Sequence, residues 1–180
     1  MKPTLLVWRH PRPQGAEGRC IGARTDLPVH WRCAKRLARR IQATARRERL
    51  PHAVWTSPLS RCADVGKWLC RWGWTHHRDA SLLELDFGAW DGRRWSEIGQ
   101  GEIDAWVENF VSHAADGGES LKAMLLRAAS FQAPAGSILV SHGGWMLARR
   151  WLMEHGPGTE PSQASEWPAP PPYATCWRLD

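Results

Sequence analysis

The apolar run Leu5-Leu6-Val7-Trp8 stops at Arg9-His10-Pro11, and this stop constrains the fold more than any other stretch of the sequence. A short, unbroken apolar run is the mark of a strand covered on both faces, as in a parallel sheet. Pro11 has no N–H to give to a ladder, so the strand ends there. Ligands of open α/β sheets bind at the carboxyl ends of strands, which is where this places an arginine and a histidine. A histidine there can be a nucleophile, and an arginine beside it can hold an anion. An isolated Arg-His pair can equally be a strand end without chemistry.

The first strand is predicted over residues 4–8. Residues 11–28 form a loop rich in Gly, Pro and Arg, of a length that often carries function. Leu37 and Ile41, with Ala34, Ala38 and Ala45, predict one face of an amphipathic helix over 30–49. A second strand is expected at 53–56, then a helix to about residue 72 with Ser57 as N-cap and Pro58 as its first residue. A third strand is expected at 81–85, a turn-rich stretch at 86–95, and helices at 102–113 and 119–131. A strand at 137–140, then Ser141-His142-Gly143-Gly144 and a helix through about 154, a Pro-rich connector at 156–172 and a last strand at 173–179 complete the chain. Strands alternating with helices predict an α/β fold, a three-layer α/β/α sandwich with a mainly parallel central sheet, in a single domain over 1–180.

The bulk composition narrows the class. The 180 residues suffice for one domain with a real core. Hydrophobic residues at 43% and charged residues at 23% are ordinary for a soluble protein. No apolar run is long enough to span a membrane, and Met1-Lys2-Pro3-Thr4 opens no cleavable signal pattern, so a cytoplasmic protein is expected. The five cysteines are odd in number and lack zinc-ligand spacing, and His76-His77 has no second ligand cluster; neither metal nor cofactor is expected. A formal net charge of +6 favours anionic partners. The basic residues are densest over 32–49, on the polar face of a predicted helix, without a nucleic-acid motif, so nucleic acid is not the expected partner. Thirteen tryptophans against one tyrosine must fill the core or the walls of a cleft.

The polar residues at strand ends carry the functional reading. His10 follows the first strand, Ser57 and Arg61 follow the second, and His142 follows the late one. In a parallel sheet these turns share one edge. Two arginines, two histidines and helix N-termini there make a pocket for a dianion such as a phosphoryl group.

Four ordered blocks then carry a resemblance: Leu6-Val7-Trp8-Arg9-His10, Thr56-Ser57-Pro58-Leu59-Ser60-Arg61-Cys62, Leu83-Glu84-Leu85-Asp86-Phe87-Gly88-Ala89-Trp90-Asp91-Gly92 and Val140-Ser141-His142-Gly143-Gly144. Together they resemble the histidine phosphatase superfamily, the phosphoglycerate mutase-like fold. The loop Cys20-Ile21-Gly22-Ala23-Arg24-Thr25-Asp26-Leu27-Pro28 is similar to that of the bacterial alpha-ribazole phosphatase branch, with one residue more between Gly22 and Asp26. The resemblance implies that His10 attacks phosphorus and becomes a phosphohistidine. It implies that Arg9 and Arg61 grip the phosphoryl oxygens, and that His142 donates to them in protonated form. Glu84 would protonate the leaving alkoxide, and its neighbours Leu82, Leu83 and Leu85 fit a half-buried proton carrier. Ser57 and Gly143 would support the pocket, and Arg19 or Arg24 would reach the substrate from the bordering loop. Two positions depart from the family pattern: Pro11 stands where it usually has glycine, and Ala16 stands about where it often has a phosphate-binding asparagine.

Resemblance and chemistry together predict a phosphomonoesterase acting on a small phosphorylated metabolite, with alpha-ribazole 5'-phosphate as the lead. Mutase-type phosphoryl transfer and a non-catalytic phosphate-ligand or nucleic-acid binding module are the alternatives. A serine hydrolase ranks lower, because no Gly-x-Ser-x-Gly elbow accompanies His142-Gly143-Gly144. The insertion at about 95–126 is expected to form a small lid, with Trp95, Trp106, Glu119 and Ser120 as candidate contacts, and its shortness favours hydrolysis.

Overall fold

In the computed structural model, which describes residues 5–179, the first apolar run forms strand β1, Leu5–Arg9, whose side chains alternate between two cores. Leu5 and Val7 enter one hydrophobic cluster and Leu6 and Trp8 the other. Such a strand has to be covered twice, which accounts for its lack of polar alternation. The remaining strands of the described residues are β2 (Ala53–Thr56), β3 (Thr75–Arg78), β4 (Ile138–Ser141) and β5 (Cys176–Leu179). They form one sheet in the order β3-β2-β4-β1-β5. β4 runs parallel to both β1 and β2, β2 runs parallel to β3, and β5 pairs antiparallel with β1.

Helices α1 (Trp31–Glu48) and α2 (Ser60–Cys70) cover the Leu6/Trp8 face. α1 buries Leu37, Ala38 and Ile41 at the expected spacing and ends at Arg49, whose left-handed backbone (φ 55°) turns its N–H back to the Ala45 carbonyl. Leu37→Ala would cost about 2–5 kcal/mol. Past α3 (Gln100–Glu108), helices α4 (Leu121–Ser130) and α5 (Gly143–His155) cover the Leu5/Val7 face. Three layers result, as predicted. No helix among the described residues is long and apolar enough to cross a membrane.

Local differences from the expected elements have physical causes. The third strand is Thr75–Arg78 rather than 81–85. It is an edge strand, mostly exposed, so it carries no apolar alternation to read. Residues 80–82 form a short 3₁₀ turn, because the Asp79 carboxylate accepts from the Ser81 N–H at 2.8 Å and the Ser81 hydroxyl at 2.6 Å. α2 begins at Ser60, not at Pro58, and Ser57 does not cap it. Its N-terminus is capped from a distant loop: Asp26 Oδ1 accepts from both the backbone N–H (2.7 Å) and the hydroxyl (2.8 Å) of Ser60. The predicted helix over 102–113 stops at Glu108. The expected strand residue Thr4 lies outside the described residues.

Candidate active site

The sheet order brings the carboxyl ends of β2, β4 and β1 side by side, with β4 in the middle. His10 donates its backbone N–H to the Ser141 carbonyl at 3.0 Å, and Ser57 donates its own to the Val140 carbonyl at 3.1 Å. His10 and Ser57 therefore flank the end of β4, and His142 is the residue between β4 and α5. All three are buried. The His10 and His142 rings lie 5.0 Å apart, edge to face.

His10 is oriented by its neighbour. Its Nδ1 lies 2.7 Å from the Pro11 carbonyl oxygen, which can only accept, so the ring proton sits on Nδ1 and the Nε2 lone pair is free. Burial, and then the charges of Arg61 and Arg9, hold its pKa well below the ordinary histidine value, against the opposing pull of the Pro11 carbonyl. The ring is neutral at physiological pH. Proline at position 11 thus keeps the one backbone group that this arrangement uses, its carbonyl. Tyr173 covers the histidine from outside, with ring centroids 5.5 Å apart.

Arg61 is 1% exposed and holds three acceptors. Its guanidinium donates to the Thr25 carbonyl (2.7 Å), the Gly22 carbonyl (2.8 Å) and His142 Nδ1 (3.2 Å). It therefore pins the loop that carries Gly22 and Thr25 to this edge of the sheet. Gly22 has to be glycine, because a Cβ there would run into the Leu85 carbonyl oxygen. The expected protonated His142 is corrected by this geometry. With Nδ1 accepting from Arg61, its proton is on Nε2, which faces the buried Cys62 sulfur at 3.5 Å. Burial first, then Arg61 and His10, lower the His142 pKa well below its ordinary value, so the ring is neutral. Ser57 belongs to the same buried cluster and accepts from the Leu59 N–H at 3.4 Å.

Arg9 and Glu84 meet at the N-terminus of α5. Arg9 donates to the Pro171 carbonyl at 2.5 Å and lies against the Tyr173 ring, 4.0 Å from its centroid. Its Nε is buried without a hydrogen-bond partner among the described residues. Gly143 makes room for this guanidinium, since a Cβ there would lie 3.1 Å from Arg9 Cζ and 2.8 Å from Pro170 Cβ. The Glu84 carboxylate accepts from the Gly144 N–H at 3.1 Å and from the Leu85 N–H at 3.0 Å. A carboxylate at the first turn of a helix is favourably placed in the field of the helix dipole.

A cavity of about 360 Å³ opens beside this cluster, with Arg9, Glu84, Gly143 and Gly144 in its wall. Arg19 also lines it and donates to the Gly92 carbonyl at 2.8 Å. Arg24 does not line this cavity: its side chain pairs with Asp86 at 2.8 Å and bonds the Gly117 carbonyl. From the expected lid, Trp95 and Trp106 line the cavity. Glu119 instead pairs with Arg127 at 2.8 Å, and Ser120 caps α4 through the Ala123 N–H. Pro170, in the Pro-rich connector, Tyr173, just after it and ahead of β5, and Phe87 are wall residues that sequence reasoning did not single out. Only the proximity of Tyr173 to the antiparallel last strand could have pointed to them. Among the described residues no three His, Cys, Asp or Glu side chains gather to hold a metal ion.

Comparison with known proteins bears on the family and the fold. The family model described as histidine phosphatase superfamily (branch 1) matches residues 5–177. No curated protein matches the sequence. Among solved structures, mycobacterial glucosyl-3-phosphoglycerate phosphatase in complex with VO3 is 23% identical, with a TM-score of 0.74 over 99% of this chain and 92% of that one. The Thermus thermophilus protein TTHB049 is 24% identical, with a TM-score of 0.68 over 98% of this chain and 93% of that one. At this identity the likenesses show the shared fold.

Proposed function

The chain belongs to the histidine phosphatase superfamily, and from that premise we propose that it is a phosphomonoesterase working through a phosphohistidine at His10. The observation that carries this reading is the His10 ring itself: neutral, with Nδ1 bonded to the Pro11 carbonyl at 2.7 Å and Nε2 left as the nucleophilic atom.

Nε2 attacks phosphorus, forming the P–N bond as the bond to the leaving oxygen breaks. Glu84, on the cavity wall, enters this step protonated and gives its proton to that oxygen, and the Gly144 and Leu85 N–H groups hold the carboxylate it becomes. Water then attacks the phosphohistidine, the Glu84 carboxylate takes its proton, and phosphate leaves with His10 restored. The unpartnered Nε of Arg9 is a donor for a phosphoryl oxygen. Arg61 has five N–H bonds and spends three within the protein, so two remain for the same group. His142 contributes as a neutral ring, and an incoming dianion would raise its proton affinity. The insertion at 95–126 contributes Trp95, Trp106, Phe110, Leu121 and Met124 to the cavity wall, and its shortness favours hydrolysis over transfer. Alpha-ribazole 5'-phosphate stays the lead metabolite on the likeness of the 20–28 loop.

The test is release of inorganic phosphate from p-nitrophenyl phosphate in the presence of EDTA. Wild type is expected to turn over and His10→Ala to be inactive. Equal activity of the two would refute the nucleophile.

A further inference from the structure

The wall of the cavity away from Arg9 and Glu84 is aromatic and continuous. Trp95 meets Phe87 edge to face at 5.9 Å, and Phe87 meets Trp106 at 6.4 Å. Trp106 packs on Phe110 at 5.3 Å, and Phe110 meets Trp167 at 6.3 Å. All five line the cavity. The charged side chains of that lining are Arg9, Arg19 and Glu84. Glu84 and Arg9 belong to the phosphoryl end, and Arg19, which gives one N–H to the Gly92 carbonyl, is the one charged side chain of the lining beyond them. Among the described residues no Asp, Asn or Gln lines the cavity to satisfy a row of hydroxyls.

A leaving group that enters here leaves water for aromatic surface. A polyhydroxylated sugar would lose more hydrogen bonds to water than Arg19 alone returns from this wall. An apolar ring would lose none and would gain both burial and edge-to-face stacking. The volume, about 360 Å³, lies at the small end of ligand pockets, which run from about 300 to 1,000 Å³, and suffices for one ring on a short chain.

We infer that the site selects phosphomonoesters whose leaving alcohol carries an apolar, ring-bearing group, held against Phe87, Trp95, Trp106 and Phe110. This rests on the phosphatase reading for turnover, while the binding preference of the cavity is independent of it.

Two measurements separate the claims. Calorimetric binding of 4-phenylbutylphosphonate and of 3,4-dihydroxybutylphosphonate tests the cavity without chemistry. The phenyl compound is expected to bind at least about 30-fold tighter, with a negative heat-capacity change. Hydrolysis of 3-phenylpropyl phosphate and glycerol 1-phosphate, with p-nitrophenyl phosphate as a reference, tests turnover; the same order of kcat/KM is expected. Trp106→Ala, and independently the half-exposed Trp95→Ala, should each shrink the binding ratio severalfold. Equal binding of the two phosphonates, or tighter binding of the diol, overturns the cavity assignment even if every ester is hydrolysed. A ratio that both variants leave unchanged does the same. Preferential binding without hydrolysis of any ester upholds the cavity preference and overturns the phosphatase reading.

Discussion

Gly144 donates its backbone N–H to the Glu84 carboxylate at 3.1 Å, and the side chain it lacks leaves the space that this carboxylate occupies. A Cβ on residue 144 would collide with Glu84 Oε1. The second glycine of Ser141-His142-Gly143-Gly144 thus sets the place of the proton carrier 60 residues earlier in the chain. Gly144→Ala is expected to displace Glu84 and lower kcat for alkyl phosphates by up to about 100-fold, since misplacements of about 1 Å have that effect. Steady-state kinetics check this, and wild-type rates in the variant would contradict it.

Glu84→Gln keeps the shape but removes the transferable proton. Alkyl phosphates, whose alkoxides leave poorly, should lose about 10²–10⁴-fold in kcat. p-Nitrophenyl phosphate, whose leaving group needs no proton, should lose much less. Equal losses across a leaving-group series would assign Glu84 a purely structural role.

The two buried histidines predict how stability responds to acid. Both have native pKa values well below the ordinary 6.5. Above about pH 6.5 both states are neutral, and nothing is lost. Below it the unfolded chain takes up protons that the native state refuses, so stability falls with pH until the native pKa values are reached. The slope between about pH 6.5 and 5 should approach about 1.4 kcal/mol per pH unit for each histidine. Urea denaturation across that range measures it, and replacing His142 with Asn should flatten the slope. A flat wild-type profile would contradict the buried, neutral assignment.

Arg61 is a fork with three protein acceptors, and lysine cannot span them. Arg61→Lys is expected to destabilise the protein by about 3 kcal/mol and to free the loop at 22–25. Urea unfolding and hydrogen exchange at that loop report the two effects separately. Unchanged exchange would show that the loop is held by other contacts.

Much of this was legible in the sequence because it depends on periodicity and punctuation. The double burial of β1 follows from Leu5-Leu6-Val7-Trp8, and the edge shared by His10, Ser57 and His142 follows from parallel strands. What escaped depends on partners far apart in the chain. The start of α2 is set by Asp26, a loop residue that propensity near Ser57 cannot reveal. β3 carries no hydrophobic pattern because it lies at an edge. The pairing of Arg24 with Asp86, the capping of His10 by Tyr173 and the protonation of His142 are tertiary facts as well.

The central claim is a covalent phosphoryl group on one atom of one residue. Mixing the protein with ³²P-labelled substrate, quenching in alkali within milliseconds and sequencing the labelled peptide by mass spectrometry tests it directly. The expected result is an acid-labile, base-stable phosphate on His10 that appears before free phosphate, with none on His142 and none in His10→Ala. Turnover without label on His10, or with label elsewhere, would contradict it.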